Sequence, residues 1–427
     1  MRLGDCCEKI GSGATPKGGK DAYLDSGPVR LIRSQNIYNE GFSPSGLAFI
    51  NDDQAKKLDS ASVLPGDVLL NITGDSVARV CQASVAYLPA RVNQHVAIIR
   101  PNQKIYDAKY LRYFLASPAQ QQLMLGLAAA GATRNALTKG MIEAFQVPCP
   151  PLEVQLGIAD VLGALDDRIT LLRETNATLE AIAQALFKSW FVDFDPVRAK
   201  MEGRAPEGMD DATAALFPDA LEETELGPVP RGWKTGTLGD VAQTARRQLQ
   251  VSDLNADLNY VGLEHVPRKS LSLTEWGNAE GLESAKAAFA EGDILFGRLR
   301  PYFHKVVVAP FSGVCSTDIL VCQPIRPEYS GVVTMHLFSE ALIQYADRLS
   351  NGAKMPRVSW KDLAVYPISV PPPQVAEAYN KSLQSLMDRM KANIHQAQTL
   401  ATLRDTLLPR LISGQLRVPE AIEATLA

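Results

Sequence analysis

The sequence predicts an α/β protein with two homologous globular domains joined by two long antiparallel coiled-coil helices. Three observations support this prediction: two heptad patterns of similar length, an internal repeat that keeps them in register, and short apolar segments before each pattern. The apolar face of a lone helix must be covered, and the other heptad pattern offers a cover of matching length. The two halves would then form a pseudo-twofold internal repeat.

The first long helix is predicted over residues 151–193 and opens in the segment Pro150–Gln155. Its apolar residues alternate at steps of four and three, the seam of a coiled coil that would span roughly 60 Å at about 1.5 Å per residue. The seam residues are Ile158, Leu162, Leu165, Ile169, Leu172, Leu179, Ala183, Leu186 and Trp190. Asn176 interrupts them, either as a buried residue that sets the register or as an exposed residue where the coil loosens.

The second long helix is predicted over residues 373–414. Its seam residues are Leu383, Leu386, Met390, Asn393, Ala397, Leu400, Leu407 and Leu411. Two ordinary core helices in separate domains are the alternative, which the length of the two seams disfavours. With antiparallel helices, the C-terminal tail, residues 415–427, would pack near the first domain.

The two halves of the chain repeat each other with loops of different length. Four pairs lie 221 residues apart: Gly131 and Gly352, Pro150 and Pro371, Leu165 and Leu386, and Arg168 and Arg389. Nearer the start of each half the separation is larger, 235 between Leu3–Asp5 and Leu238–Asp240 and 226 between Gly66–Val68 and Gly292–Ile294. A repeated scaffold with changed loops is typical of two modules that do one kind of job on different targets.

Composition describes an ordinary protein of two or three domains. Hydrophobic residues make up 46% and charged residues 21% of the 427 residues. No apolar run reaches the eighteen or so residues that cross a membrane, and the N-terminus does not look like a signal peptide. The six cysteines are scattered without metal-type spacing, so we expect reduced thiols and a cytoplasmic protein.

The first globular domain is predicted over residues 1–150 and the second over residues 233–372. In the first domain, strands are expected at Val29–Arg33, Val68–Ile72 and Val96–Arg100 and a helix at Tyr110–Leu127. The buried side of that helix would be Tyr110, Leu111, Phe114, Leu115 and Leu123. Residues 194–232 are rich in proline, glycine and acids and are predicted to form a linker.

Several segments resemble the specificity subunits of type I DNA restriction–modification systems. Residues Lys188–Arg198, KSWFVDFDPVR, resemble the end of the family's first spacer helix, and Glu225–Trp233, ELGPVPRGW, resembles the entry into its second target-recognition domain. Pro150–Gln155 is similar to the family's helix opening, whereas the second opening departs from that pattern at Pro373–Ala376. The resemblance covers nearly the whole chain.

The resemblance implies a subunit that reads DNA and has no catalytic residues, metal or cofactor of its own. Each globular domain would read one half of a bipartite target in double-stranded DNA, while the helices set the spacing. Two methyltransferase subunits would dock on the helices, and restriction–translocase subunits would join that core. The formal charge of −4 argues mildly against nucleic-acid binding, but the acids gather in the linker-like stretch, so binding would depend on local basic faces.

Polar and cationic side chains in the loops are the candidate DNA contacts, because base edges are read by fork-like donors and amides and phosphates by cations. In the first domain these are Lys17, Lys20, Arg33, Gln35, Asn36, Asn71, Thr73, Arg79, Asn93, Gln94 and Arg134. In the second they are Arg246, Arg247, His265, Arg268, Arg298, Arg300, Tyr302, Lys305, Lys354 and Arg357. The strongest candidates are the segments Arg33–Asn36 and Arg298–Lys305, although a solvated surface role is the alternative for each residue.

Two other function classes are weaker. A DNA-processing enzyme independent of S-adenosylmethionine lacks support, since Asp21 follows Gly19-Lys20 where a phosphate-binding loop needs Ser or Thr. The five histidines are too scattered for a metal site, and Cys315 and Cys322 are predicted to lie in the core. A coiled-coil structural adaptor would explain the helices but not two duplicated domains with basic loops.

Overall fold

The structure, a computed structural model, describes residues 1–130, 135–245, 247–352 and 354–419, with the backbone alone at Lys20 and Asp21. The chain divides into two compact units. Unit 1 is Met1–Thr170 with Gln398–Ala427, and unit 2 is Leu171–Ala397. Both boundaries fall inside the long helices, so each unit contains a globular part and one half of each helix.

Unit 1 contains two four-stranded sheets. Its strands are β1 Cys7–Ser12, β2 Val29–Ile32, β3 Ile37–Tyr38, β4 Gly41–Phe42, β5 Ala48–Ile50, β6 Ser62–Val63, β7 Val68–Asn71, β8 Val80–Gln82, β9 Ala90–Val92 and β10 Val96–Pro101. One sheet has the order β1-β10-β7-β8 and is antiparallel throughout. The other has the order β5-β2-β9-β6, in which β2 and β9 run parallel.

Unit 2 repeats both sheets. Its strands are β11 Leu221–Thr224, β12 Gly227–Pro230, β13 Lys234–Thr237, β14 Ala242–Thr244, β15 Gln248–Leu249, β16 Asn259–Val261, β17 Gly277–Asn278, β18 Lys286–Phe289, β19 Ile294–Gly297, β20 Val306–Val308, β21 Gly313–Cys315, β22 Ile319–Pro324 and β23 Pro367–Val370. The antiparallel sheet β14-β22-β19-β20 corresponds to the first sheet of unit 1. The sheet β17-β16-β21-β18-β15 corresponds to the second, again with one parallel pair, β16 and β21, and with β15 added.

Helices complete both units. In unit 1 they are α1 Asp52–Lys57, α2 Ala108–Ala116, α3 Pro118–Ala129 and α4 Lys139–Glu143, and α5 Leu152–Phe191 begins there and continues into unit 2. In unit 2 they are α6 Asp195–Met201, α7 Asp211–Ala215, α8 Ser330–Phe338, α9 Glu340–Leu349 and α10 Trp360–Ala364, followed by α11 Pro373–Ile412, which ends in unit 1. The two long helices of the prediction are α5 and α11, each 40 residues long.

In unit 1 the halves of α5 and α11 run antiparallel and close the core. Leu162 and Leu165 of α5 are buried in one cluster with Leu407 and Leu411 of α11. Asp166 Oδ1 of α5 accepts a hydrogen bond from Arg404 of α11 at 2.7 Å. The residues that follow α11 pack on the same core, as expected for the tail, through Leu416 and Val418.

In unit 2 the helix halves are joined through a polar pair in the seam. Asn393 donates from Nδ2 to Asn176 Oδ1 at 2.8 Å, and Asn176 donates from its own Nδ2 to the Met390 carbonyl at 3.1 Å. Both asparagines are buried. Of the two alternatives for Asn176, the structure therefore shows the buried residue and not the exposed one. Its amide finds a hydrogen-bond partner on α11 in the observed register of the two helices, as expected for a residue that sets the register.

Residues 194–232, expected to form a linker, instead fold onto unit 2. They contain α6, α7 and the β11–β12 hairpin. Phe194, Phe217 and Val229 are buried with Trp233 in the core cluster of this unit. The prediction weighted the abundant proline, glycine and acids, whereas the few aromatic residues among them decide the fold because each buries a large apolar area.

The predicted helix at Tyr110–Leu127 is two helices, α2 and α3. Ser117 has extended backbone between them, because the residue before Pro118 is disfavoured in the helical region. Tyr110, Leu111, Phe114 and Leu115 are buried as predicted, but Leu123 is 48% exposed. Because the chain changes direction at this break, the buried positions of α3 do not continue the helical spacing of those of α2.

Candidate nucleic-acid interface

The same five-residue turn follows the same strand in both units. In unit 1 it is Gly74–Ala78, between β7 and β8, and in unit 2 it is Arg300–His304, between β19 and β20. The main chain closes each turn in the same way, with the Asn71 N–H donating to the Arg79 carbonyl and the Gly297 N–H donating to the Lys305 carbonyl, both at 2.8 Å. These bonds place Arg79 and Lys305 at equivalent positions.

A second segment is fastened beside each turn in the same way. The Gly74 N–H donates to the Asn135 carbonyl at 3.1 Å, and the Arg300 N–H donates to the Pro356 carbonyl at 2.8 Å. Bridges between Thr73 and Ala136 and between Leu299 and Arg357 extend this contact. The predicted contacts around residues 298–305 and 354–357 therefore lie together, although they are far apart in sequence.

A third segment, after the parallel strand β2 or β16, completes the arrangement. The Arg33 N–H donates to Asn36 Oδ1 and the Gly262 N–H donates to His265 Nδ1, both at 3.0 Å. Asn36 and His265 thus occupy the same place with different chemistry. The residue that follows Arg33 or Gly262 is also held by a side chain in each unit. The Ser34 carbonyl accepts a hydrogen bond from the Asn71 side chain at 2.9 Å, and the Leu263 carbonyl accepts one from the Lys305 side chain.

In unit 1 this surface carries the exposed Gln35 and the half-buried Arg33 and Arg79. The guanidinium of Arg33 lies over the Tyr23 ring at 5.2 Å and donates to the Gly46 carbonyl, which also accepts from Gln35 Nε2 at 3.0 Å. The guanidinium of Arg79 lies over the Tyr38 ring at 4.8 Å. Packing against an aromatic ring limits the directions that an arginine side chain can take.

Three predicted asparagine contacts of unit 1 are buried. The Asn36 amide donates to the carbonyls of Ser43 and Ser45 at 2.9 and 3.1 Å. Asn71 holds Ser34 as described, and Asn93 accepts from the His95 N–H at 3.0 Å. These side chains shape the loops from inside: Asn36 and Asn71 donate to main-chain oxygens, and Asn93 accepts from a main-chain N–H.

The other candidates of unit 1 lie at the rim or outside the described part. Thr73 hydrogen-bonds His95, whose other ring nitrogen contacts Gln94 at 2.8 Å. Lys17 is exposed. The Lys20 side chain and the residues Arg134 and Arg246 lie outside the described residues.

Unit 2 carries a denser cationic cluster. Arg268 lies over the Phe303 ring at 3.9 Å, and Arg300 lies 5.9 Å from the same ring while donating to the Lys354 carbonyl at 3.3 Å. Arg357 pairs with Asp318 at 2.8 Å, and this carboxylate raises the pKa of the arginine. Arg247 and Lys354 are exposed, whereas Arg298 and Lys305 are half-buried.

Burial adjusts two basic groups in this cluster. Burial, and then repulsion from Arg268, lowers the pKa of the Lys305 ammonium. Burial also lowers the pKa of His304, although its Nδ1 lies 3.4 Å from a carboxylate oxygen of Glu340. His304 Nε2 contacts the Phe338 carbonyl at 2.8 Å, so its ring supports the turn rather than facing solvent.

Sequence reasoning missed the aromatic supports of the cations. Tyr23, Tyr38 and Phe303 each lie against an arginine. The fold makes these pairs: Tyr38 lies in β3, whereas Arg79 lies just before β8, so the sequence alone does not mark the contact. Cys315 and Cys322, predicted to be core residues, are buried in β21 and β22, and burial raises the pKa of the Cys315 thiol to about 12.

Across the described ranges, His, Cys, Asp and Glu side chains form no group of three that could hold a metal ion. Among the helices of that same part, none combines the length and hydropathy of a membrane span.

Comparisons with known proteins agree on one family. A family model described as type I restriction modification DNA specificity domain matches residues 1–181. The chain is 24% identical to the MjaIX type I restriction enzyme specificity subunit of Methanocaldococcus jannaschii, over 96% of this chain and 92% of that one. It is also 24% identical to the HindI specificity subunit of Haemophilus influenzae, over 91% of this chain and 94% of that one.

A solved structure has a similar fold. The S subunit of a type I restriction-modification system from M. genitalium superposes with a TM-score of 0.53 at 14% identity, over 96% of this chain and 95% of that one. At this identity the likeness concerns the fold, which agrees with the prediction of two globular domains and long helices.

Proposed function

We propose, from the premise that the chain belongs to the family of type I restriction–modification specificity subunits, that it binds a bipartite DNA target with one half read by each unit. The exposed arginines, lysines and glutamine around the two equivalent turns would contact base edges and phosphates. The chain would supply recognition without catalysis. Two methyltransferase subunits would carry the S-adenosylmethionine chemistry and restriction–translocase subunits the cleavage, in the cytoplasm.

One observation carries this proposal beyond the comparisons. The two units share a hydrogen-bonded frame of three segments, but the side chains on that frame differ at equivalent positions. Exposed Gln35 is replaced by exposed Glu264, and half-buried Arg79 by half-buried Lys305. A shared frame with exchanged donors is what two readers of different sequences require, because base edges are distinguished by their donor and acceptor patterns.

The alternative of a structural adaptor is less favoured. An adaptor needs the helices and no cationic surface. In unit 2, Arg268 and Arg300 both approach the Phe303 ring, and within the described residues neither has a carboxylate at ion-pairing distance. Cations kept away from protein carboxylates are available to phosphates. The long helices would then set the number of base pairs between the two halves of the target.

Methylome sequencing tests the proposal directly. The chain is expressed in a host together with its methyltransferase partner, and the methylated motif is determined. Exchanging residues 1–150 for the first domain of another family member is expected to change one half of the motif and to keep the other. The unexchanged chain is the control. A chimera in which both halves change together would contradict two independent readers, and an unmethylated genome with the parent chain would contradict the proposed function itself.

A further inference from the structure

The turn Arg300–His304 presents an aromatic side chain on a strained backbone. Arg300 and His304 both have φ of 51°, in the left-handed region that non-glycine residues rarely adopt. A short 3-10 helix, Pro301–Phe303, lies between them and has Tyr302 at its centre. The Tyr302 side chain is 50% exposed, although it is one of the largest apolar groups of the unit.

The surrounding contacts hold this conformation in place. The N–H of Phe303 donates to the Arg300 carbonyl at 2.9 Å, and the N–H of His304 donates to the Pro301 carbonyl at 2.8 Å. The His304 carbonyl accepts from the Lys269 N–H at 2.8 Å. Strained backbone persists only where neighbouring structure imposes it, and it is concentrated at functional sites.

The equivalent turn of unit 1 has left-handed residues at the same two places and different side chains. Gly74 and Ala78 occupy the places of Arg300 and His304, with φ of 76° and 73°. Ser76 stands where Tyr302 stands in unit 2. The left-handed positions are therefore a property of the frame, and the aromatic tip is a property of unit 2 alone.

The chemistry around Tyr302 suits the edge of a base stack. The Tyr302 and Phe303 rings meet edge to face at 4.7 Å, which fixes one side of the tyrosine and leaves the rest exposed. Arg268 and Arg300 both approach Phe303, so two cations lie near the ring that packs against Tyr302. An exposed aromatic ring with cations nearby can stack on a base while the cations contact the flanking phosphates.

We propose that Tyr302 stacks on a base of the half-target read by unit 2 and opens a base step there, whereas unit 1 reads its half without such a wedge. This inference rests on the proposed DNA-binding function and adds a deformation of the duplex at one half only. Side chains that enter a base step unstack it and bend the duplex, and the cost depends on the sequence of that step. Tyr302 would thus favour flexible pyrimidine–purine steps.

The test uses the complex of the full chain with its methyltransferase partner, bound to a duplex that carries the target found by methylome sequencing. 2-Aminopurine is placed in turn at positions of the unit 2 half, and the base that becomes methylated is left unmodified. Loss of stacking raises the fluorescence of 2-aminopurine. The wild-type complex is expected to raise it at one step. Tyr302→Phe should keep this rise, because stacking needs the ring and not the hydroxyl.

Tyr302→Ala should abolish the rise and weaken binding about tenfold, a loss in the range for one base–aromatic stack. Ser76→Ala, at the equivalent place in unit 1, is the matched control and should leave both readouts unchanged. The wedge is refuted if no step brightens with the wild-type complex, or if Tyr302→Ala keeps the rise. These outcomes are distinct from failure of the proposed function, in which the wild-type complex would not discriminate the target from an unrelated duplex.

Discussion

Removing the carboxylate of Asp166 should selectively loosen unit 1. One oxygen of Asp166 accepts from Arg112 at 2.9 Å and from the Tyr113 hydroxyl at 2.7 Å, and the other accepts from Arg404 at 2.7 Å. The side chains of Arg112 and Arg404 are only 10% and 18% exposed. Asp166→Ala would leave both guanidinium groups without their shared counterion in a place that water reaches poorly.

The expected loss follows from that geometry. Breaking a buried pair by removing one partner costs about 3–5 kcal/mol, and the residual exposure of the three groups reduces this to about 2 kcal/mol. Asp166→Asn keeps an acceptor for Tyr113 and should lose about half as much. At about 1.4 kcal/mol for each tenfold change, Asp166→Ala should accelerate hydrogen exchange of the α2 amides by about 30-fold.

Hydrogen exchange measured by mass spectrometry resolves α2, and the molecule supplies an internal control. All four tryptophans, Trp190, Trp233, Trp276 and Trp360, belong to unit 2. Their fluorescence should therefore be unchanged by the substitution. Asp167→Asn, on the exposed neighbour of Asp166, is the matched control and should stay within about 0.5 kcal/mol of wild type. Unchanged exchange of α2 in Asp166→Ala would refute the reasoning.

The effect should also depend on pH in a defined direction. Burial alone would raise the pKa of Asp166, but Arg112, Arg404 and Tyr113 outweigh it, so the pKa is lowered. A carboxylate with a lowered pKa in the folded state stabilises that state above its unfolded pKa of about 3.9, and the contribution is lost as the pH falls through the folded value. The difference between wild type and Asp166→Asn should be full at pH 7 and shrink below about pH 4.

Two further predictions concern the cationic cluster and the helix seam. Arg300→Ala should weaken DNA binding and, if the side chain contacts a phosphate, reduce the slope of log affinity against log salt concentration by about one. Lys381→Ala, on an exposed face of α11, is the control and should change neither quantity. Unchanged affinity and slope in Arg300→Ala would remove Arg300 from the interface. Asn393→Leu should lower the free energy of unfolding by about 1–3 kcal/mol, because Asn176 Oδ1 loses its hydrogen-bond donor. Replacing both asparagines by leucine should recover most of that loss. A double-mutant cycle measured by urea unfolding that shows no coupling between the two residues would contradict the pair.

Regular features of the sequence were predictable because periodicity reports burial. The seams of α5 and α11 were read from heptad spacing, and the repeat was read from residues that build the frame, such as Asp67 and Asp293. Each of these carboxylates accepts from a main-chain N–H three residues earlier, Leu64 at 2.7 Å and Ala290 at 2.8 Å. A residue with such a local bond keeps its identity and its spacing, so sequence comparison within the chain finds it.

Features that depend on tertiary packing were not predictable. The burial of the Asn36 amide group was not predictable, because its partners Ser43 and Ser45 lie in a loop whose path is set elsewhere. The pairing of Arg79 with Tyr38 likewise needs two strands to be in place. Residues of the candidate interface could therefore be named by type, but which of them face outward follows only from the fold.

The packing of residues 194–232 constrains how genes for such chains can recombine. Phe194 and Val197 share a core with Phe217 and Trp233, so a crossover within this stretch would join halves of two unrelated aromatic clusters. A crossover further upstream, in the part of the gene that encodes α5 before Leu179, would carry the whole cluster along as one piece. Viable hybrids should therefore have their breakpoints in the segment that encodes α5. Residues 194–232 are a poor place for a breakpoint, although their proline and glycine content is typical of a linker.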